Sequence, residues 1–217
     1  MSNRKSIVIT GGTGFIGSHL TELMVKEGYK VTVFDRYNPN NDWGWLEQSE
    51  CKNDCNIILG DIRDYDKLKG HLDWADVVVW LAALVGDPAC ALSKSLTKEI
   101  NNDPVRFLST NYNGKIIYMS SCSVYGTGED ILTEKSKLNP LSLYAESKIE
   151  DEKTLAGSNT ICFRLGTLYG ISDNFSRIRF DLVVNTLVMR AIFHNKVVYF
   201  HDQFPWVYNQ SLHLLDQ

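Results

Sequence analysis

The sequence predicts an α/β fold: a doubly wound parallel sheet with helices on both faces. Three observations predict it. Short β-branched runs alternate along the chain with stretches of helical apolar spacing. Those runs are almost continuously apolar, as strands covered on both faces must be. The first of them ends in a glycine-rich turn that opens a helix.

The elements follow in order. KSIVIT is a β-branched run ended by glycines, and SHLTELMVKEG then carries Leu20, Leu23 and Met24 at helical spacing before closing at Gly28. YKVTVFD, CNIILGD and ADVVVWLAA give the second, third and fourth strands. GKIIYMSS is the fifth and NTICFRLG the sixth, with helices expected near 92–109 and 142–156. Pro104 in INNDPVRFL places a helical N-terminus close to it. RYNPNNDWGWLEQSE after the second strand and GTGEDILTEKSKLNPLS after the fifth are rich in turn formers. Loops leaving the carboxyl ends of strands line the crevice of such a sheet, so both are expected to border a site.

At 217 residues one domain is the default, with no internal repeat or low-complexity tract. A net charge of -4 without a run of Lys or Arg argues against nucleic acid and against an anionic membrane surface. No apolar window approaches the roughly 20 residues of a membrane span, and the N-terminus lacks a signal-peptide core, so a cytoplasmic location is expected. The five cysteines are odd in number and scattered, and Cys51 and Cys55 form C-x-x-x-C; they read as reduced thiols.

The turn VITGGTGFIGSHL contains Gly12-x-Gly14-x-x-Gly17, with Gly11 giving a second reading, Gly11-x-x-Gly14-x-x-Gly17. Glycines there allow a tight turn and close approach of backbone to a pyrophosphate, which the free amides and dipole of a helix N-terminus attract. Asp35, ending the second strand, suits the two ribose hydroxyls of a dinucleotide and repels a 2′-phosphate, favouring NAD over NADP; Arg36 beside it softens the preference. Asp61, closing the third strand, suits the adenine amino group, with Ile62 against the ring. Leu81, Ala82 and Ala83 end the fourth strand with small residues that either lie flat against a cofactor or fill a core.

LYAESK sets Tyr144 and Lys148 one helical turn apart on one face. A phenol with a pKa near 10 is a poor base at neutral pH. An ammonium about 4 Å away, at an effective dielectric near 20, is worth at most roughly 4 kcal/mol, about three pKa units. On its own such a pair is most simply a solvated helix face. Upstream, YMSSCSVYG puts Ser120, Ser121 and Ser123 at the carboxyl edge of the fifth strand, where Ser121 can hold a substrate oxygen.

Together TGGTGFIG, GDIRD, LAALVGDPACAL, SSCSVYG, YAESK, FRLGTLYG and RFDLVVNTLV resemble the extended short-chain dehydrogenase/reductases, the NAD-dependent epimerases and dehydratases of nucleotide sugars. The resemblance implies a Rossmann domain over 1–170. It implies NAD held by Gly11, Gly14, Phe15, Ile16, Gly17, Asp35, Arg36, Asp61, Ile62, Leu81, Ala82, Ala83, Asn101 and Leu165, with Tyr144 and Lys148 at the nicotinamide end. Tyr144 is then the base, Lys148 its cation and a contact of the nicotinamide ribose, and Ser121 the partner of the reacting hydroxyl. Ser123, Thr167 and Arg179 fall on the substrate side. The implied substrate is a UDP-, dTDP- or GDP-linked sugar, oxidised at C4 to a 4-keto intermediate with epimerisation as the simplest outcome. The family's 4,6-dehydratases follow the catalytic Ser or Thr with Asp-Glu, whereas Cys122 and Ser123 stand here, which disfavours dehydration. A homodimer is implied as well.

Residues 171–217 are expected to be a truncated or divergent remnant of the substrate-binding region, because the family's Trp-Arg-Pro-Phe-like run is replaced by HDQFPWVYNQSLHLLDQ, with no arginine beyond Arg190. Arg177 and Arg179 are read either as phosphate contacts or as solvated charges, and His194 and His201 as surface residues. An NAD-binding protein without turnover and a truncated inactive paralogue remain alternatives to the epimerase-type oxidoreductase.

Overall fold

The structure is a computed structural model and describes residues 5–38, 41–127, 131–169 and 182–194. Two compact units divide the chain: Met1–Gly126 with Lys137–Arg177, and Thr127–Ser136 with Ile178–Gln217. In the second, the described residues include a turn in which Ser136 Oγ accepts the Thr133 amide at 2.9 Å, and helix α7 (Val183–His194), which ends on an exposed His194.

The first unit holds a six-stranded sheet of β1 (Ser6–Thr10), β2 (Lys30–Asp35), β3 (Asn56–Leu59), β4 (Val77–Trp80), β5 (Lys115–Ser121) and β6 (Thr160–Leu165), in the order β3-β2-β1-β4-β5-β6. All neighbours pair in parallel, with Ile7 opposite Val31 and Val77, and Ser121 opposite Leu165. The winding reverses between β1 and β4, and at such a switch point the chains leaving the carboxyl ends diverge and open a crevice.

Strand alternation divides the apolar side chains between two layers. Val8, Val78, Trp80 and Ile116 join Leu68 and Leu72 of α2 (Tyr65–Leu72), Val105 and Leu108 of α5 (Asp103–Asn111) and Leu155 of α6 (Leu143–Leu155) in one core cluster. Ile7, Ile9, Val33 and Val79 face the other way, against Leu46, Cys51 and the partly buried Leu20, Met24 and Val25 of α1 (Phe15–Lys26). The outer strands are less covered than uniformly apolar runs suggest. β3 is half-buried, and β6 leaves Ile161 and Phe163 46% and 47% exposed.

Two further departures from the sequence reading have local causes. The helix expected near 92–109 is a broken series: α3 (Asp87–Ala91), α4 (Lys94–Thr97), a π-helical turn (Lys98–Asn102) and α5. Pro104 lies in the first turn of α5, as expected, and its missing amide leaves the preceding turn without a regular i→i−4 bond. Helix α2 was missed, although Asp64 caps it by accepting the Lys67 amide at 3.2 Å and Leu68 and Leu72 share its buried face. The cysteines are free, as expected. No helix among the described residues is long and apolar enough to cross a membrane.

Two glycines give opposite predictions. A Cβ on Gly17 would lie 2.3 Å from Gly11 O and 2.5 Å from Gly12 Cα, so Gly17→Ala is expected to destabilise the protein by about 1–3 kcal/mol or more in urea unfolding. Gly70, exposed within α2, meets nothing within 4 Å, and Gly70→Ala is expected to stabilise by roughly 0.5–1 kcal/mol in the same measurement.

Candidate active site

The site is built on the carboxyl edge of the sheet. Gly11, at φ +73°, turns the chain off β1, and its α-carbon is pressed so closely on β4 that a Cβ would stand 2.8 Å from Ala82 N. Gly12 packs under Val33 with equally little room. Gly14 differs, since a Cβ there would meet only Gly11 O, at 3.3 Å. Gly14 also caps α1 with no side-chain hydrogen bond, so the first amides of the helix, those of Phe15, Ile16 and Gly17, have no side-chain cap. Gly11, Gly12 and Gly17 therefore shape the turn, and Gly14 is the least crowded of the four, with Gly11 O its one close neighbour.

Asp35 closes this corner. Its Oδ2 accepts the Thr13 amide at 2.9 Å and the Thr13 hydroxyl at 2.7 Å, and its Oδ1 accepts the Arg36 amide at 2.8 Å. Burial raises its pKa, against the opposing pull of the Thr13 bonds. Asp61 is held by Arg63, whose Nε and Nη2 reach the two carboxylate oxygens at 2.9 and 2.6 Å while Nη1 bonds Glu99 at 2.6 Å. The Arg63 bonds hold the Asp61 carboxyl below its usual range. Ile62 is turned into the core, 7% exposed, and Leu81 and Ala82 pack against the two core clusters. Asn101, in the π-helical turn, clamps the loop after β4: its Oδ1 accepts the Leu84 amide at 2.7 Å and its Nδ2 donates to Leu84 O at 3.0 Å.

Helix α6 carries the proposed chemistry. Ser142 caps it, accepting the Ala145 amide at 3.2 Å, and this sets Tyr144 in the first turn, half-buried. One turn on, Lys148 is 4% exposed. Its ammonium donates to Met119 O at 2.9 Å and Tyr118 Oη at 3.0 Å, and lies 5.7 Å from the centre of the Tyr144 ring. Burial brings the Lys148 pKa down to about 8, against the raising influence of Asp151. The bond to Met119 ties α6 to β5 two residues before Ser121. Ser121 Oγ donates to Ser123 Oγ at 3.0 Å and accepts the Ser123 amide at 3.1 Å, starting the 3-10 turn Cys122–Tyr125. Leu165 ends β6 beside Ser121, and Thr167 follows it, partly buried.

Sequence reasoning missed several buried partners. Tyr118 Oη donates to Asp151 Oδ2 at 2.5 Å, and Asn102 Nδ2 donates to Asp151 Oδ1 at 2.8 Å. Glu152 accepts Ser120 Oγ at 2.5 Å and is gripped by Arg164 at 3.0 and 2.7 Å, with Arg164 Nη1 reaching Tyr125 Oη at 2.9 Å. The signal for Asp151 was its position three residues beyond Lys148 on one helix face. Arg179 and Arg177, with His201, lie outside the described residues, as does the start of RFDLVVNTLV.

The sequence profile of the NAD dependent epimerase/dehydratase family matches residues 7–209. The chain belongs to that family. Among curated proteins it is similar to a UDP-N-acetylglucosamine 4,6-dehydratase (inverting) of Campylobacter jejuni, 28% identical over 79% of this chain and 49% of that protein. It is also similar to Protein CapI of Staphylococcus aureus, 32% identical over 76% of this chain and 54% of that one. The chain thus spans about half the length of the curated relatives it matches. Among solved structures, the UDP-glucuronic acid 4-epimerase of Bacillus cereus, in complex with UDP-glucuronic acid and NAD, superposes with a TM-score of 0.68 at 26% identity, covering 86% of this chain and 63% of that one.

The described residues fit the family's cofactor. The uncapped α1 amides under Gly14 suit a pyrophosphate, Asp35 Oδ1 accepts one bond and retains a further lone pair for a ribose hydroxyl, and two of the three Lys148 donors are engaged.

The Glu152–Arg164 pair gives a pH prediction. Burial raises the Glu152 pKa, but the Arg164 and Ser120 bonds outweigh it and the net shift is downward. A lowered carboxyl contributes stability above its unfolded pKa and loses it as pH falls through the folded value. Glu152→Gln is therefore expected to cost about 1–3 kcal/mol at pH 7 in urea unfolding, with the gap to the unmodified protein narrowing below about pH 4.5.

Proposed function

We propose that this chain is the NAD-binding part, over 1–170, of an epimerase-type oxidoreductase acting on C4 of a nucleotide sugar, with 171–217 belonging to its substrate region. The observation that carries the reading is the buried Lys148 ammonium, held on strand β5 and set one turn below Tyr144. The family match and the likeness to a 4-epimerase solved with NAD support it.

When bound, NAD would supply the hydride-transfer chemistry. Gly14 and the α1 amides would hold its phosphates, Asp35 its adenosine ribose and Lys148 its nicotinamide ribose. Tyr144 takes the proton of the sugar 4-hydroxyl as that carbon becomes a ketone, and gives it back when the alcohol re-forms. Lys148, its ammonium 5.7 Å from the centre of the Tyr144 ring, favours the ionised phenol through its positive charge. Ser121 holds the reacting oxygen and stabilises the charge that develops there. Inversion at C4 through a 4-keto sugar is the proposed outcome. Cys122 and Ser123, the residues after Ser121, offer no carboxyl for the proton loss and elimination of a 4,6-dehydration.

Two measurements test this reading. NAD at 100 times its Kd is expected to stabilise the protein by about 2.7 kcal/mol, read as a rise in Tm, with a smaller rise for NADP because Asp35 repels the 2′-phosphate. In a panel of UDP-, dTDP- and GDP-sugars, turnover is expected for at least one, with Tyr144→Phe lowering kcat by about 10²–10⁴. A normal NAD shift with no turnover across the panel would overturn the epimerase-type reaction.

A further inference from the structure

Behind Lys148 lies a polar network that the proposed chemistry does not use. Tyr118 is 0% exposed, Asp151 1% and Asn102 4%. Its hydrogen bonds run in one direction, from Lys148 Nζ to Tyr118 Oη at 3.0 Å and from Tyr118 Oη to Asp151 Oδ2 at 2.5 Å. Asn102 Nδ2 serves the other carboxylate oxygen at 2.8 Å and Ser147 O at 2.9 Å, so Asp151 is fixed from both sides. A carboxyl group in the interior is unfavourable unless it answers a buried charge. Here the cation it answers is Lys148, one turn up the same helix face, with the phenol hydroxyl between them.

We propose that Asp151, acting through the Tyr118 hydroxyl, is a positioning residue that keeps the buried Lys148 protonated and its ammonium seated beneath Tyr144. The inference deepens the proposed function and rests on its assignment of Lys148 as the cation of Tyr144.

The charges around Lys148 agree with the geometry. Burial lowers it to about 8, and Asp151 leads the influences that oppose the fall, followed by Cys90 of α3, Cys162 of β6 and Glu152 of α6. Glu152 is already committed to Arg164. Tyr118 does not compete as a second acid, because burial and then the neighbouring Asp151 hold its pKa well above the ordinary value. Asp151 is raised by burial to about 6, against the bonds and charges of Tyr118, Lys148 and Asn102. Carboxylate and ammonium thus each oppose the other's desolvation, and each favours the charged form of its partner. Removing the carboxylate charge lowers the pH at which Lys148 gives up its proton, since nothing then offsets the desolvation of the ammonium as strongly.

The test reads Lys148 directly, by NMR titration of the whole chain labelled at lysine Cε, with its signal assigned from Lys148→Arg. Asp151→Asn is expected to lower the lysine's pKa by about one unit, a tenfold change in its acidity, and Tyr118→Phe to lower it in the same direction. In turnover assays both variants are expected to move the alkaline limb of kcat to lower pH with KM little changed, a signature that loss of packing does not produce. An unchanged Lys148 titration in both variants overturns the proposal, and a shift with Asp151→Asn but none with Tyr118→Phe overturns the route through the phenol. If Asp151→Asn does not fold, Asp151→Glu, which keeps a carboxylate but displaces it from Tyr118 Oη and Asn102, is titrated in its place, and an unshifted Lys148 overturns the proposal. Wild-type protein without turnover removes the proposed reaction while the titration still rules on Asp151. Normal turnover with an unshifted titration removes only the present inference.

Discussion

A protonated lysine enclosed between β5 and α6 is the constraint around which this end of the molecule is organised. Withdrawing an ammonium from water costs several kcal/mol even after the surroundings relax, so the interior must answer it. Met119 O and the Tyr118 hydroxyl accept two of its three N–H groups, and Asp151 stands behind the phenol as the countercharge. These bonds act together with the Ser120–Glu152 bond to fix α6 along β5. Tyr144, one turn earlier on the same helix, inherits that placement.

The sheet order explains why the groups lie where they do. With β1 central and the winding reversed between β1 and β4, the turn after β1, the loop after β4 and the end of β5 open on one edge. Two close contacts hold that edge together. Gly11 brings the first turn onto Ala82, leaving no room for a side chain, and Asn101 clamps the backbone at Leu84. Farther along, Arg164 on β6 binds Glu152 on α6 and the hydroxyl of Tyr125, so the turn following Ser121 is anchored to the neighbouring strand and helix together.

Most of the sheet was legible because buried parallel strands are written as apolar runs, and the glycine turn because each glycine has a steric reason that the spacing encodes. Tyr144, Lys148 and Ser121 could be singled out for the same reason: their spacing is local. What the sequence concealed is contact across elements. Tyr118 in a strand reads as an aromatic core residue, and Asp151 and Glu152 on α6 read as the solvated face of an acidic helix. Only the packing of α6 on β5 and β6 reveals that one answers Lys148 and the other Arg164. The stretch near 92–109 reads as helical with a start close to Pro104, but α3 before it and the π-helical turn inside it leave no mark on apolar spacing, and α2 has too few repeats in eight residues for periodicity to stand out.

Asp35, the proposed ribose ligand, has its acceptor directions narrowed by what it has already bound. A free aspartate at the end of β2 would rotate and offer four lone pairs to whatever approached. Thr13 occupies Oδ2 with both its amide and its hydroxyl, and the Arg36 amide takes one position on Oδ1. What is left is a single direction of acceptance on a carboxylate locked to the turn over which the pyrophosphate would lie, an arrangement that rewards a neutral hydroxyl donor and opposes an anion. Arg36 enters this contact through its backbone, so the amide that completes the carboxylate's shell does not depend on the guanidinium being there. The proposed preference for an unphosphorylated ribose would therefore reside in Thr13 as much as in Asp35, because Thr13 determines which oxygen of the carboxylate remains to be used.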